Sequence, residues 1–100
     1  MLDKLEDVER RYLDLEDRLI DPAVMGNRQD FARLAKERSD LVPIVAAYRE
    51  WKKIGQEIEG HRALLELSDP DIRELAKEEL PALRQRSDEL AERLRILLLP

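Results

Sequence analysis

The chain has 100 residues, the usual length of a single domain, and carries a net charge of −5 at pH 7. An acidic total argues against a domain that wraps nucleic acid over most of its surface, and the lack of cysteine excludes a disulfide scaffold and a cysteine-ligated zinc site. Ala, Glu, Lys, Leu and Arg supply 58 of the residues, a bias that is typical of long helices. We therefore expect an all-α fold.

The first apolar stripe predicts a helix over residues 2–20. Its apolar side chains recur at steps of three and four residues, at Leu2, Leu5, Val8, Tyr12, Leu15 and Leu19. The stripe stops at Asp21-Pro22, which suits a helix cap followed by a first-turn proline, and Gly26-Asn27 follows as a strong helix breaker. The segment between the two helices is therefore predicted to be a short turn with room for one helical turn.

A second helix is predicted over residues 28–67, with Asn27 placed to cap it. Its stripe runs through Phe31, Leu34, Arg38, Leu41, Val45 and Tyr48 and then shifts to Trp51, Ile54, Ile58, His61 and Leu65. We expect a kink near Pro43, because proline removes a backbone donor and clashes with the preceding turn. Gly55 and Gly60 either let another helix approach closely or mark a point where the helix frays.

A third helix is predicted over residues 70–98, with Asp69 as its cap and Pro70 at the first helical position. Its predicted stripe consists of Ile72, Leu75, Leu83, Leu90, Leu94 and Leu97, and Pro81 predicts a second kink. Three amphipathic helices joined by short turns pack antiparallel to cover their stripes. Residues 1–100 are thus predicted to form an elongated antiparallel helical hairpin or three-helix bundle.

Few residues of the chain suggest a catalytic, metal-binding or phosphate-binding site. His61 is the only histidine and has no partner at metal-ligand spacing, so we interpret it as an ordinary helix residue. The paired carboxylates are typical of solvated helix faces, and they are Glu6 with Glu9, Asp69 with Asp71, and Glu78 with Glu79. The three glycines are too dispersed for a phosphate-binding loop. We assign no catalytic, cofactor-binding or metal-ligating residue, and we expect no small-molecule substrate.

Two groups of basic residues allow more than one interpretation. In "YREWKK", from Tyr48 to Lys53, the aromatic rings either stack on bases or anchor the core between helices, and we favour the core. A basic stripe could form on the second helix from Arg28, Arg33, Lys36 and Arg38, and another on the third helix from Arg84, Arg86, Arg93 and Arg95. We expect these cations to pair mainly with acidic residues at helical spacing.

The order of these segments resembles a known family. "LDKLEDVERRYLDLEDRLIDP", "FARLAKERSDLVPIVAAYREWKKI", "LLELSDPDIRELAKEEL" and "LRILLLP" follow one another as in the N-terminal region of bacterial class I peptide chain release factors, of the type that reads UAA and UAG. The resemblance covers essentially all 100 residues and is most specific at "AAYREWKK", at Asp69-Pro70 and at "LLLP".

The resemblance implies a role in translation termination. Family members bind the ribosomal A site, read the stop codon partly through a Pro-x-Thr-type tripeptide, and promote peptidyl-tRNA hydrolysis through a Gly-Gly-Gln loop. This chain has no threonine and no Gly-Gly pair, so it resembles the N-terminal helical domain alone and is not expected to be an enzyme. In the family this domain lies toward the base of the ribosomal stalk, which implies rRNA and a ribosomal protein as partners.

The ends of the chain bear on localisation. No secretory signal is visible at the N-terminus, and the apolar run Ile96 to Leu99 is far shorter than the roughly 20 residues that cross a bilayer. We therefore expect a cytoplasmic protein with no membrane partner. The apolar run is interpreted as the end of the third helix, and the natural protein is expected to continue past Pro100.

Two alternatives stay open at this stage. One is a tRNA-binding helical arm such as that of seryl-tRNA synthetases, which would depend on Arg84 and Arg86, although the acidic total argues against it. The other is a coiled-coil scaffold that self-associates through its stripes. A membrane-surface helix at the C-terminus is disfavoured because the arginines there lie beside Glu89 and Glu92. The oligomeric state is left open.

Overall fold

The computed structural model describes residues 1–100 and confirms the all-α prediction. It contains no strand and four helices, which are α1 (Leu2–Leu19), α2 (Pro22–Met25), α3 (Arg28–Leu64) and α4 (Pro70–Leu97). The single-turn helix α2 occupies the predicted turn between the first two long helices. The largest difference from the predicted bounds is at the end of α3, which stops three residues before Leu67 because the amides of residues 65–67 bond to carbonyls three residues back. No helix combines the length and the hydropathy that a bilayer span requires.

Side-chain caps fix where three helices begin. The Asp21 carboxylate accepts the amide of Ala23 at 2.9 Å, and Asn27 Oδ1 accepts the amide of Asp30 at 3.1 Å. Asp69 Oδ1 accepts the amide of Asp71 at 2.9 Å. All three caps were predicted from the sequence, and each satisfies a donor that the helix itself leaves unpaired.

The chain divides into two compact units, and the first contains residues 1–46. Its buried apolar residues keep the three-four spacing on α1 and on the first part of α3: Leu5, Tyr12, Leu15, Leu34 and Val45. The connection between α1 and α3 is short, so the two helices run antiparallel and bury these stripes against each other.

The second unit contains residues 47–100, with the rest of α3 and all of α4. Its buried apolar residues are Ala47, Tyr48, Ala76, Leu80, Leu90 and Leu94. Two predicted stripe residues of α4 are wrong, because Ile72 and Leu75 are 38% and 56% exposed. Counting back from Leu94 in steps of four and three leads instead to Leu80 and Ala76, which are buried. The predicted stripe contains the larger Ile72 and Leu75 in place of the small Ala76.

The prolines and glycines behave differently from one another. Helix α3 continues unbroken through Pro43, as does α4 through Pro81, and the kinks at these prolines stay predictions. Both interpretations of the α3 glycines are wrong. The helix does not fray at Gly55 or Gly60, and a Cβ atom built on either would meet nothing within 4 Å.

Candidate functional site

In the first unit, an arginine and a glutamate join α1 to α3. Arg11 Nε and Nη2 donate to the two carboxylate oxygens of Glu37 at 3.1 and 2.7 Å, which is a bidentate geometry. Hydrogen bonding to Arg11 lowers the pKa of the Glu37 carboxyl, against an opposing effect of desolvation. Arg11 Nη1 also donates to Asp14 at 3.0 Å, so two carboxylates hold one guanidinium.

Arg38 makes the second polar link of this unit. Its Nη2 donates to the hydroxyl oxygen of Tyr12 at 2.9 Å and to Glu16 Oε2 at 3.1 Å. The guanidinium carbon also lies 5.1 Å from the centroid of the Tyr12 ring, within cation–π distance. Arg38 is thus committed to α1 by three contacts, and the first basic stripe is not an open row of cations.

Of the two aromatic residues of "YREWKK", Tyr48 belongs to the core, as favoured from the sequence, and Trp51 is half-buried beside it. Tyr48 is only 3% exposed, and its ring stacks on the half-buried Trp51 with centroids 6.3 Å apart and planes at 27°. Lys52 Nζ lies 4.3 Å from the Tyr48 ring centroid. The Tyr48 ring is already covered by protein and is not open to stack on a base.

Two polar links join α3 to α4 in the second unit. Arg86 Nη2 donates to Glu50 Oε1 at 2.8 Å, and its Nε donates to the same oxygen at 3.1 Å. Nearer the α3–α4 turn, His61 Nε2 contacts Glu79 Oε2, and His61 Nδ1 lies 2.9 Å from the backbone carbonyl oxygen of Glu57. Hydrogen bonding to Glu79, followed by that to Glu57, raises the pKa of His61.

This arrangement changes the interpretation of His61 and Glu79. His61 has the three-four spacing of the α3 stripe, but its imidazole joins two helices, so it is more than an ordinary helix residue. Glu79 was predicted to lie on a solvated face, but its carboxylate contacts Nε2 of His61, and half of its side chain is exposed. The stripe spacing of His61 was a usable signal, whereas a partner 18 residues away gives no periodic signal.

Most cations of the predicted basic stripes are paired. Three pair within their own helix, Arg33 with Asp30, Lys36 with Asp40 and Arg95 with Glu92. Arg38 pairs with a facing helix. Arg86 pairs both with Glu50 on the facing helix and with Glu89 on its own helix. Arg28, Arg84 and Arg93 make no ion pair. Because Arg86 is held by Glu50, the pair on which the tRNA-arm alternative depends is reduced to Arg84.

The α3–α4 turn carries exposed apolar side chains, which we call the turn patch. Its members are Leu64, Leu67, Ile72 and Leu75, with exposures of 37%, 45%, 38% and 56%. The backbone between them is ordered by Arg73, whose Nη1 donates to the carbonyl oxygens of Leu67 and Ser68 at 2.8 Å each. Exposed apolar side chains that gather on one segment of the surface make it a candidate protein contact surface.

Comparison with known proteins gives one consistent result. A family model described as the PCRF domain matches residues 8–100. Proteins named peptide chain release factor 1 from Geobacter sulfurreducens and Solidesulfovibrio magneticus are each 47% identical to the chain over 100 residues, and the one from Pelobacter propionicus is 45% identical. These alignments cover the whole chain but only 28% of each relative. No solved structure gives a significant match.

Proposed function

Since the chain belongs to the PCRF-domain family, we propose that it is the N-terminal helical domain of a peptide chain release factor that directs translation termination at UAA and UAG codons. The observation that carries this proposal is identity of 45–47% to proteins named peptide chain release factor 1, with no part of the chain left outside the alignment. The named relatives support the UAA and UAG type in particular.

Within such a factor, the role proposed for this domain is to bind the ribosome and not to perform hydrolysis. The inter-helix polar groups support the non-hydrolytic part of this proposal, because Arg11, Arg38 and Arg86 are each paired with a carboxylate of a facing helix and hold the helices together. The turn patch is the surface proposed to meet a ribosomal protein near the stalk base, with rRNA as a neighbouring partner. This function places the protein in the cytoplasm.

A chimera tests the functional assignment. This chain replaces the matching 28% of the Geobacter sulfurreducens factor, and the rate of peptide release is measured on ribosome complexes with UAA, UAG or UGA in the A site. We expect release at UAA and UAG and little at UGA. A chimera that folds, binds no ribosomes and releases no peptide would refute the assignment.

Two matched variants of the chimera test the turn patch. Leu67→Glu places a charge on the patch, and Leu13→Glu places one on α1 at nearly the same exposure, 45% against 48%. We expect Leu67→Glu to raise the factor concentration needed for half-maximal release and Leu13→Glu to leave it unchanged. Equal effects of the two variants would rule out the turn patch as the contact.

The isolated chain provides a separate test of the non-catalytic role. We expect no hydrolysis of peptidyl-tRNA when it is added to a stop-codon ribosome complex, because the Gly-Gly-Gln motif is not in its sequence. Inhibition of the full-length factor by excess isolated chain would support direct ribosome binding. Peptide release by the isolated chain would contradict the proposed role.

A further inference from the structure

The second unit holds its two helices together with one permanent and one titratable polar link. Glu50 and Arg86 form the permanent link, because a guanidinium stays charged at any pH that the protein meets. His61 and Glu79 form the other link, nearer the α3–α4 turn, and histidine is the only side chain that ordinarily changes charge near neutral pH. The two ends of this helix pair therefore respond differently to pH.

The contacts of His61 require both ring nitrogens to carry a proton. Nδ1 faces the backbone carbonyl of Glu57 and Nε2 faces the carboxylate of Glu79, and both of these groups only accept hydrogen bonds when Glu79 is ionised. A neutral imidazole has one N–H and satisfies only one of them. The full set of contacts exists only for the imidazolium.

The electrostatic surroundings of His61 favour the same charged form. The charged groups that act on it are Glu57 on its own helix and Glu79 on α4, and both are acidic. The nearest cation along α3, Arg62, is held by Glu59 at 2.9 Å. Both acidic neighbours therefore stabilise the proton, and only desolvation opposes it.

Apolar packing is sparse where this link lies. Between His61 and Glu79 along the chain, only Ala76 is buried, with Leu80 as the next buried residue after Glu79, whereas the four turn-patch residues in that interval are exposed. Few buried apolar contacts mean a low free energy of local opening. A single polar link then has a large share in keeping this end of the helix pair closed.

We propose that the His61–Glu79 pair is a pH-sensitive clasp that holds the turn-proximal ends of α3 and α4 together, closed when His61 is protonated and loosened when it is neutral. The clasp controls local opening and the order of the turn patch. It does not depend on the proposed function, because local opening is measured on the isolated chain.

Amide hydrogen exchange on the 100-residue chain tests the clasp, at about pH 5.5 and about pH 8.5, on either side of the ordinary pKa of histidine. Exchange is expressed as protection factors, because these remove the pH dependence of the exchange rate that an unprotected amide would show. We expect protection over residues 58–80 to fall as pH rises and protection over residues 84–94 to stay constant. By linkage, the factor by which protection falls equals ten raised to the difference between the His61 pKa in the closed state and in the open state. NMR titration of the imidazole measures the pKa in the closed state.

Three variants make the test specific. Glu79→Gln removes the carboxylate from a half-exposed position and so leaves folding intact, and we expect it to abolish the pH dependence. His61→Arg supplies a cation that does not titrate and should give high protection at both pH values. Glu50→Gln removes the permanent link and should lower protection by the same factor at both pH values.

Two results would overturn the clasp. One is a His61 pKa in the folded chain at or below that of histidine in an unfolded peptide. The other is the same pH-dependent loss of protection in Glu79→Gln as in the wild type.

Discussion

Gly55 and Gly60 lie in the interior of α3 with nothing within 4 Å of the place where a Cβ atom would go. Alanine at either position therefore adds no steric clash and removes backbone entropy from the unfolded chain. Gly55 is far from both helix ends, so the full propensity difference of about 1 kcal/mol applies to Gly55→Ala. Gly60 is four residues from the end of α3 at Leu64, where fraying reduces the gain to about 0.5 kcal/mol.

Urea unfolding followed by far-UV circular dichroism measures both effects on the free energy of unfolding. The gains should add to about 1.5 kcal/mol in the double variant, because the two positions share no neighbour. Gly26→Ala is the matched control, since its Cβ would lie 3.3 Å from the carbonyl oxygen of Pro22, and we expect a smaller gain or a loss. Loss of stability in Gly55→Ala with an unchanged denaturant slope would refute the reasoning.

Three further predictions concern the core, a cap and an ion pair. Leu15→Ala should lower the free energy of unfolding, measured in urea, by about 2–5 kcal/mol, because Leu15 is 0% exposed. Leu13→Ala is the control: Leu13 is 48% exposed, and its loss should lower the same free energy by about 0.5 kcal/mol or less. Asp69→Ala should cost about 1 kcal/mol in the same assay, and Asn should restore most of it. Arg11 lowers the pKa of Glu37 in the folded state, so the pair stabilises the fold above the unfolded pKa of Glu37 and loses this effect as pH falls through the folded one. Glu37→Gln should therefore lose less stability on acidification than the wild type, and a parallel loss in both would contradict the pairing.

Local signals were read correctly from the sequence wherever neighbouring residues decide the structure. Asp21, Asn27 and Asp69 were predicted as caps because a short polar side chain before an apolar stripe bonds the first free amides. The stripe of α1 is confirmed at Leu5, Tyr12 and Leu15, which are buried, and is wrong at Leu2, which is 48% exposed at the start of the helix. These features depend on spacings of a few residues, which periodicity reports directly.

Other features depend on which helix faces which, and spacing alone does not report that. The partner of Arg11 is 26 residues away, and the partner of His61 is 18 residues away. The sequence analysis assigned no ion-pair partner to Arg11 or to His61, because no spacing within one helix points to a partner on another. The prediction that Ile72 belongs to the core stripe was wrong for a related reason. Hydropathy favours a large apolar side chain such as Ile72 over Ala76, although Ala76 is the buried residue.

The polar pairs of the second unit also explain why α3 and α4 adopt one register. Apolar stripes with a three-four repeat fit almost equally well after a slip of one heptad. In the observed register Glu50 meets Arg86 and His61 meets Glu79. A heptad slip in one direction would place Arg86 against His61, which repels it when protonated, and would place Arg93 against Glu50. A slip in the other direction would place Glu79 against Glu50 and Ile72 against His61. The first slip keeps one attractive pair and loses the other, and the second loses both, so the flanking charges favour the observed register over either slip.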